Sequence, residues 1–365
     1  MTDTFEHFSD VKIIECDDFL SVVSSLVPTG NILLVTSKGF TQRGVVAQVL
    51  DKCGVSRVSV FDDVTPNPEK SFLQTNITQF TQNKIVHVIA LGGGSAIDAA
   101  KVFCALLSYP DTLLDDLLLA DEVENKVNLI AIPTTSGTGA EVTPFATVWQ
   151  SDIAKKYSLY GIRPNVALLD PSLTLSLPAE ETLYPALDAL SHALESLWNK
   201  NKTKESAVFA KQAISCICHS LQRVLAEPKN IVARSELQRA ATLAGMAISI
   251  TRTAIAHALS YPLTAGYAVP HGLACSFTLL AIIDVIGHET LELPEALANQ
   301  VTALLTQLNL GMELQKYVAW SEIQQLSNVP MDASRAGNFI APIDNHLIHE
   351  ILLTSQQLTK QANLL

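Results

Sequence analysis

The sequence predicts an α/β N-terminal domain built on a mainly parallel sheet, followed by an all-helical C-terminal domain. Three observations carry this. Short apolar runs alternate with helical patterns over roughly the first half of the chain. Strand-like runs become scarce after Pro171–Pro178. Long helical periodicities fill the remainder. Strands alternating with helices give a parallel sheet covered on both faces, whereas helices alone pack as a bundle. The expected division is 1–175 and 176–365, with the functional site in a cleft between the two parts.

The elements follow in order. Asn31 to Thr36 is a short apolar run after Pro28 and Gly30, hence a buried strand. Phe40 to Cys53 has helical apolar spacing and stops at Gly54, a C-cap residue. Arg57 to Phe61 alternates as a second strand, and 67–82 reads as a polar helix. Val86 to Leu91, Leu129 to Ile132 and Val166 to Leu169 are three further strands, with a helix over Ser95 to Leu107. Beyond Ala179 the helical patterns cover 180–198, 204–226, 232–250 and 293–308. Glu180 and Glu181 suit the first turn of a helix, where negative charge faces the positive dipole end. The β-prone Val11 to Ile14 is a candidate for pairing at a subunit edge.

Composition narrows the function. The 365 residues contain 24 Lys+Arg and 36 Asp+Glu, a net charge of −12. An acidic chain is a poor match for nucleic acid, which needs a basic surface. Hydrophobic residues make up 48% and charged residues 16%, enough for large cores. No apolar run is long enough to span a bilayer, and Met1 to Asp10 does not read as a secretory signal. Six irregularly spaced cysteines (Cys16, Cys53, Cys104, Cys216, Cys218, Cys275) read as free, mostly buried thiols in a reducing compartment. A cytoplasmic protein is expected.

Two glycine-containing turns follow predicted strands. In the first, Gly92-Gly93-Gly94-Ser95 joins strand directly to helix, with Asp98 and Lys101 further on. Glycine lets the backbone approach a ligand, and a helix N-terminus offers free N–H groups to a diphosphate. The pattern is not G-x-G-x-x-G, and by itself it serves equally well as a tight turn. In the second, Pro133 to Thr143 presents Thr134, Thr135, Ser136 and Thr138 around two glycines. Two such loops at strand ends suit a dinucleotide lying across the sheet edge.

The C-terminal half carries a metal-binding pattern. Asp188 and His192 are i and i+4 on one helix face, in an otherwise apolar stretch. His257 and His271 follow downstream. Three imidazoles and a carboxylate suit a borderline divalent ion and leave a position for a substrate oxygen. Other clusters are weaker. Cys216 and Cys218 are i and i+2 and do not share a helix face. His346 and His349 fit a solvated face.

In their order and spacing these segments resemble the iron-containing (group III) alcohol dehydrogenases, from Asn31 to about Glu350. The family's GGGS-x-x-D turn matches Gly92 to Ser95 with Asp98, and its TT-x-GTG-x-EVT loop matches Thr134 to Thr143. Its Pro-x-x-Ala-x-x-Asp-Pro segment matches Pro164 to Pro171. Its D-A-x-x-H and later histidines match Asp188, His192, His257 and His271. The resemblance implies a dehydroquinate synthase-like fold, Fe²⁺ or Zn²⁺ at those four residues, and NAD or NADP at the two turns. It implies a small aldehyde or alcohol substrate and a homodimer. Lys156 matches a lysine that relatives keep near the cofactor, although Lys155 competes for the alignment.

The sequence also departs from the common family pattern. Many members read H-x-x-x-H-P-L-G, and here Tyr261 stands at the second histidine and Thr264 at the glycine. Tyr261 is therefore a candidate proton donor, beside water and a ribose hydroxyl. Thr251 to Thr264 is similar to the phosphonoacetaldehyde reductase branch. If the preceding helix continues to the metal, Arg252 or Thr253 faces the pocket, and a guanidinium would hold a phosphonate with two hydrogen bonds. After the first strand no carboxylate appears in Thr36-Ser37-Lys38-Gly39, so Ser37, Lys38 or Arg43 is available to a 2′-phosphate and NADPH is expected to be accepted. The expected reaction is reduction of an aldehyde such as phosphonoacetaldehyde to its alcohol. The alternatives are a general alcohol or diol dehydrogenase, a dehydroquinate synthase-type lyase, which consumes no net NAD(P)H, and a binding protein without turnover.

Overall fold

The structure is a computed structural model that describes residues 3–153, 155–329 and 331–362. The chain divides into two compact units. The first runs to Thr135 and resumes over Gly139–Leu175; the second takes Ser136–Thr138 and everything from Ser176. The three residues 136–138, expected with the first half, thus group with the second.

The first unit holds a seven-stranded sheet. Its strands in chain order are β1 (His7–Phe8), β2 (Val11–Glu15), β3 (Asn31–Val35), β4 (Val58–Phe61), β5 (Ile85–Gly92), β6 (Asn128–Pro133) and β9 (Val166–Leu169). A hairpin of β7 (Phe145–Gln150) and β8 (Lys155–Tyr160) forms a separate antiparallel pair. The sheet order is β1-β2-β9-β6-β5-β3-β4, parallel except for β1 against β2. Every central strand is buried on both sides, so it reads as an unbroken apolar run. On β3 and β5, Leu33, Val35, Val88 and Ala90 join the core containing helix Gly94–Ser108. Their neighbours Ile32, Leu34, Ile89 and Leu91 join the opposite core with helices Phe19–Leu26 and Val45–Cys53. The alternation follows from the two-residue period of a strand.

The first unit departs from the expected elements in three places. Val11 to Ile14 lies in β2, which pairs within the chain, with the two-residue β1 on one side and Lys12 to Glu15 in register with Val166 to Leu169 on the other. The helix expected over Phe40 to Cys53 is two, Lys38–Gln42 and Val45–Cys53, because Gly44 adopts φ 77°. The hairpin β7–β8 went unforeseen, since its short strands with Lys155, Lys156 and Ser158 lack a continuous apolar run.

The sheet positions both glycine-containing turns. Gly92, last in β5, pairs in register with Pro133, last in β6, and Thr134 N donates to Gly92 O at 3.1 Å. The chain passes from β3 to β4 on one side and returns through β5 to β6 on the other. The gap between the ends of β3 and β5 is therefore a topological switch point, where open α/β sheets bind ligands. Thr36 Oγ1, at the end of β3, donates to Leu91 O at 2.7 Å and ties these ends together.

The second unit is helical. Helices Ala179–Leu197, Lys204–Ala226 and Ile231–Thr251 form its centre, with Glu295–Leu308 and Asn345–Ala362 further along the chain. From Ala186 through Leu197 every residue of the first is buried. Gly137 explains why its loop groups here: a Cβ at Gly137 would meet the Pro185 Cβ at 2.5 Å, inside helix Ala179–Leu197.

Candidate metal centre and cofactor turns

The candidate metal centre lies wholly in the second unit. Helix Ala179–Leu197 presents Asp188, His192 and Glu195 at i, i+4 and i+7, one inward-facing stripe. Helix Ile255–Tyr267 supplies His257 from its first turn, and the short helix His271–Ser276 supplies His271 and Cys275, again i and i+4. Glycine is needed between these elements. A Cβ at Gly272 would lie 1.8 Å from Tyr184 O, so His271 is set by a backbone approach only glycine allows.

Asp188 Oδ1 is the hub. His192 Nε2 lies 3.5 Å from it, His257 Nε2 3.4 Å and His271 Nε2 3.8 Å. Those separations are long for hydrogen bonds. They suit atoms sharing one ion: two donors about 2.1 Å from a metal at a tetrahedral angle sit about 3.4 Å apart. The orphaned atoms point the same way. Asp188 Oδ1 and His257 Nε2 are buried and have no hydrogen-bond partner. Unpaired buried lone pairs are destabilising unless a cation takes them. Asp188 Oδ1, His257, His271 and Cys275 offer donor atoms all within 4.8 Å of one another. The residues fit a divalent ion.

Glu195 completes the arrangement. Its Oε2 accepts from His257 Nδ1 at 2.6 Å, and its Oε1 accepts from the backbone N–H of Ala256 at 2.6 Å and of His257 at 3.2 Å. This holds the His257 proton on Nδ1 and leaves the Nε2 lone pair facing Asp188, the usual role of a carboxylate behind a ligating histidine. Glu195 was missed in the sequence, although the i+7 spacing from Asp188 was visible. Cys275 was read there only as a buried thiol; it is buried, but its Sγ stands 3.5 Å from His271 Nε2.

The electrostatics favour positive charge. Burial works against an ionised Asp188, but His192, His257 and His271 outweigh it and hold the carboxyl well below its usual range. Burial brings His192 down to about 4, so its ring is neutral and able to donate a lone pair. Burial also opposes charge on His257, yet Cys275, Glu195 and Asp188 raise it well above an ordinary imidazole, so a positive charge is favoured at Nε2, where a divalent ion would take the place of the proton.

The chain breaks sharply before His257. Helix Ile231–Thr251 ends, Arg252 adopts φ 64° and ψ 177°, and a new helix starts at Ile255. The expectation that the helix continues through Arg252 and Thr253 is thus corrected: both lie in the kink, Arg252 exposed and Thr253 half-buried. Asn199 Nδ2 donates to Arg252 O at 3.1 Å and Asn338 Nδ2 to Thr253 O at 2.9 Å, which hold the strained backbone. Tyr261 is one helical turn beyond His257 and half-buried.

In the first unit, Gly92, Gly93, Gly94 and Ser95 lead from β5 into helix Gly94–Ser108. A Cβ on Gly92 would meet Ala96 Cβ at 2.6 Å, and one on Gly93 would meet Thr135 Oγ1 at 3.1 Å. Gly92 therefore has no room for a side chain, Gly93 lies in tight contact with the second turn, and the N-terminus of the helix is of the kind that suits a diphosphate. Asp98 and Lys101 both bond to the segment around β7. Asp98 Oδ2 accepts from Thr147 N at 3.1 Å, and burial raises its carboxyl to about 6. Lys101, fully buried, donates to Thr143 O at 2.8 Å and Phe145 O at 2.7 Å, while burial lowers it to about 8. Lys101→Met removes the buried donor to both carbonyls and is expected to destabilise the protein by about 3 kcal/mol, read from a urea unfolding curve.

Lys156 lies on β8 with Nζ 5.4 Å from the Trp149 ring centroid. Ser37 precedes helix Lys38–Gln42 at the switch point. Contrary to the expectation from Thr36 to Gly39, a carboxylate does stand near Ser37, which bridges to Asp63. Lys38 Nζ pairs with Asp63 at 2.7 Å and Thr41 donates to Asp62, both acids arriving just after the neighbouring β4. Arg43 stacks over Phe40.

Comparisons with known proteins bear on the family to which the chain belongs. The family model for iron-containing alcohol dehydrogenase matches residues 12–171, and that for the C-terminal region of the Fe-containing family matches 182–292. The bifunctional aldehyde-alcohol dehydrogenase of Escherichia coli K12 is 32% identical over 72% of this chain and 31% of its own length. Phosphonoacetaldehyde reductase of Streptomyces viridochromogenes is 38% identical over 52% of this chain and 51% of its own length. The chain thus spans a third to a half of these relatives. Sulfoacetaldehyde reductase of Bifidobacterium kashiwanohense, solved with NAD⁺, superposes with a TM-score of 0.84 at 25% identity, covering 95% of this chain and 97% of that one. With the two family models together matching most of the chain, residues 12–171 and 182–292, the chain belongs to the iron-containing alcohol dehydrogenase family.

Proposed function

We propose that this protein reduces a small anionic aldehyde, phosphonoacetaldehyde or a close analogue, to its alcohol with NAD(P)H. The observation that carries the reading is the buried Asp188 hub with three imidazoles turned toward it. A divalent ion there supplies Lewis acidity toward a carbonyl oxygen, and the nicotinamide supplies the hydride. Asp188, His192, His257 and His271 hold the ion, and Glu195 keeps His257 in the required tautomer. Ser37, Gly92 to Ser95, Asp98, Thr134, Thr135, Ser136, Thr138 and Lys156 form the dinucleotide site. Tyr261, one turn from His257, donates the proton to the product oxygen.

The anionic preference has two supports. Both reductases matched above are named for aldehydes bearing an anionic group. Arg252, exposed in a strained kink five residues before His257, offers a planar guanidinium suited to such a group. The reading takes the enzyme to act in the cytoplasm as a homodimer; no helix among the described residues is long and apolar enough to cross a membrane.

The test is cofactor oxidation with phosphonoacetaldehyde, sulfoacetaldehyde and propanal, using NADH and NADPH in turn. We expect kcat/KM for the anionic aldehydes about 100-fold above propanal. Arg252→Gln should reduce that preference to about tenfold or less, mainly through KM. Equal rates for all three aldehydes would leave a general alcohol dehydrogenase.

A further inference from the structure

Cys275 is the one donor of the four-atom cluster that the metal pattern in the sequence did not include. It is fully buried, on the same short helix as His271 and one turn on. Its Sγ lies 3.6 Å from His271 Nδ1 and 3.5 Å from Nε2. Equal distances do not describe a hydrogen bond, because the two nitrogen lone pairs diverge in the ring plane. The sulfur instead sits with Asp188, His257 and His271, all four donor atoms within 4.8 Å of one another. Two of those donors, Asp188 Oδ1 and His257 Nε2, are buried without partners. The orphaned atoms and the sulfur therefore share one small volume.

We propose that Cys275 is itself a metal ligand, so that the ion is held by carboxylate, imidazoles and a thiolate. The proposal rests on the metal reading given above and refines its donor set. A thiolate shifts the site toward softer ions of the Zn²⁺ and Co²⁺ kind, relative to an all-oxygen and imidazole set. His192, whose Nε2 is 3.5 Å from Asp188 Oδ1, is then a further donor to the same ion.

Cobalt substitution tests this without relying on turnover. The wild-type protein is loaded with Co²⁺, and its absorption spectrum and cobalt content are recorded. A sulfur-to-cobalt charge-transfer band in the near ultraviolet is expected beside the visible d–d bands. Cys275→Ser should lose the charge-transfer band while keeping the d–d bands and one cobalt per chain. Cys218→Ser, which removes a thiol outside the cluster, should keep both. The same Cys275→Ser protein should lose Zn²⁺ to a competing chelator at least about tenfold more readily. Bound cobalt with d–d bands and no charge-transfer band in the wild type overturns the cysteine proposal and leaves the metal site standing. A charge-transfer band that persists in Cys275→Ser overturns it too. A wild-type protein that binds no cobalt overturns both readings.

Discussion

Asp188→Ala is expected to abolish metal retention and turnover together. Asp188 Oδ1 is the atom toward which three imidazoles turn, and it is buried with no other partner. Removing it takes away the only carboxylate of the ligand set and leaves His192, His257 and His271 crowded around an empty volume. Metal analysis of the purified protein should find less than about a tenth of an equivalent, a drop consistent with loss of a direct ligand rather than of a supporting group. Aldehyde reduction should fall by at least about 10³-fold, since the Lewis acid is lost with the ion. Circular dichroism checks that the helices survive. A folded, metal-free Asp188→Ala enzyme that still turns over would remove the metal from the mechanism.

The second large effect is expected at Glu195. Its carboxylate accepts from His257 Nδ1 and two backbone N–H groups at the start of helix Ile255–Tyr267. Glu195→Gln keeps the shape but offers a neutral amide, which can turn an N–H toward His257 Nδ1 and favour the tautomer protonated on Nε2. That proton would occupy the lone pair facing Asp188. Metal affinity and kcat are expected to fall by about 10–100-fold, the usual loss for a partner behind a metal-ligating histidine. Chelator competition measures the first and steady-state kinetics the second. Unchanged metal affinity in a folded Glu195→Gln protein would mean that His257 is oriented by its helix alone.

The two predictions differ in what they separate. Asp188→Ala asks whether an ion is needed. Glu195→Gln asks whether a buried carboxylate with no contact to the substrate sets the tautomer that binds it. A structural role for Glu195 alone would lower unfolding stability and leave affinity for the ion intact in the folded fraction.

The sequence by itself determined the α/β then all-helical order and the parallel strands. Both follow from local periodicity, because a buried strand must be apolar throughout and a packed helix must repeat its apolar face. It also showed the Asp188–His192 pair and both glycine-containing turns, since their spacings are short and rigid. Only the tertiary structure decided the rest. Glu195 became visible when separate helices brought it beside His257, and Cys275 when the helix it shares with His271 was brought to Asp188 and His257. Arg252 left its expected helix because hydrogen bonds from Asn199 and Asn338, far off in sequence, hold the strained kink. Lys38 met Asp63 because β3 and β4 are parallel neighbours. In each case the deciding partner lies many residues away, and no local pattern encodes a contact that exists only after the chain has folded.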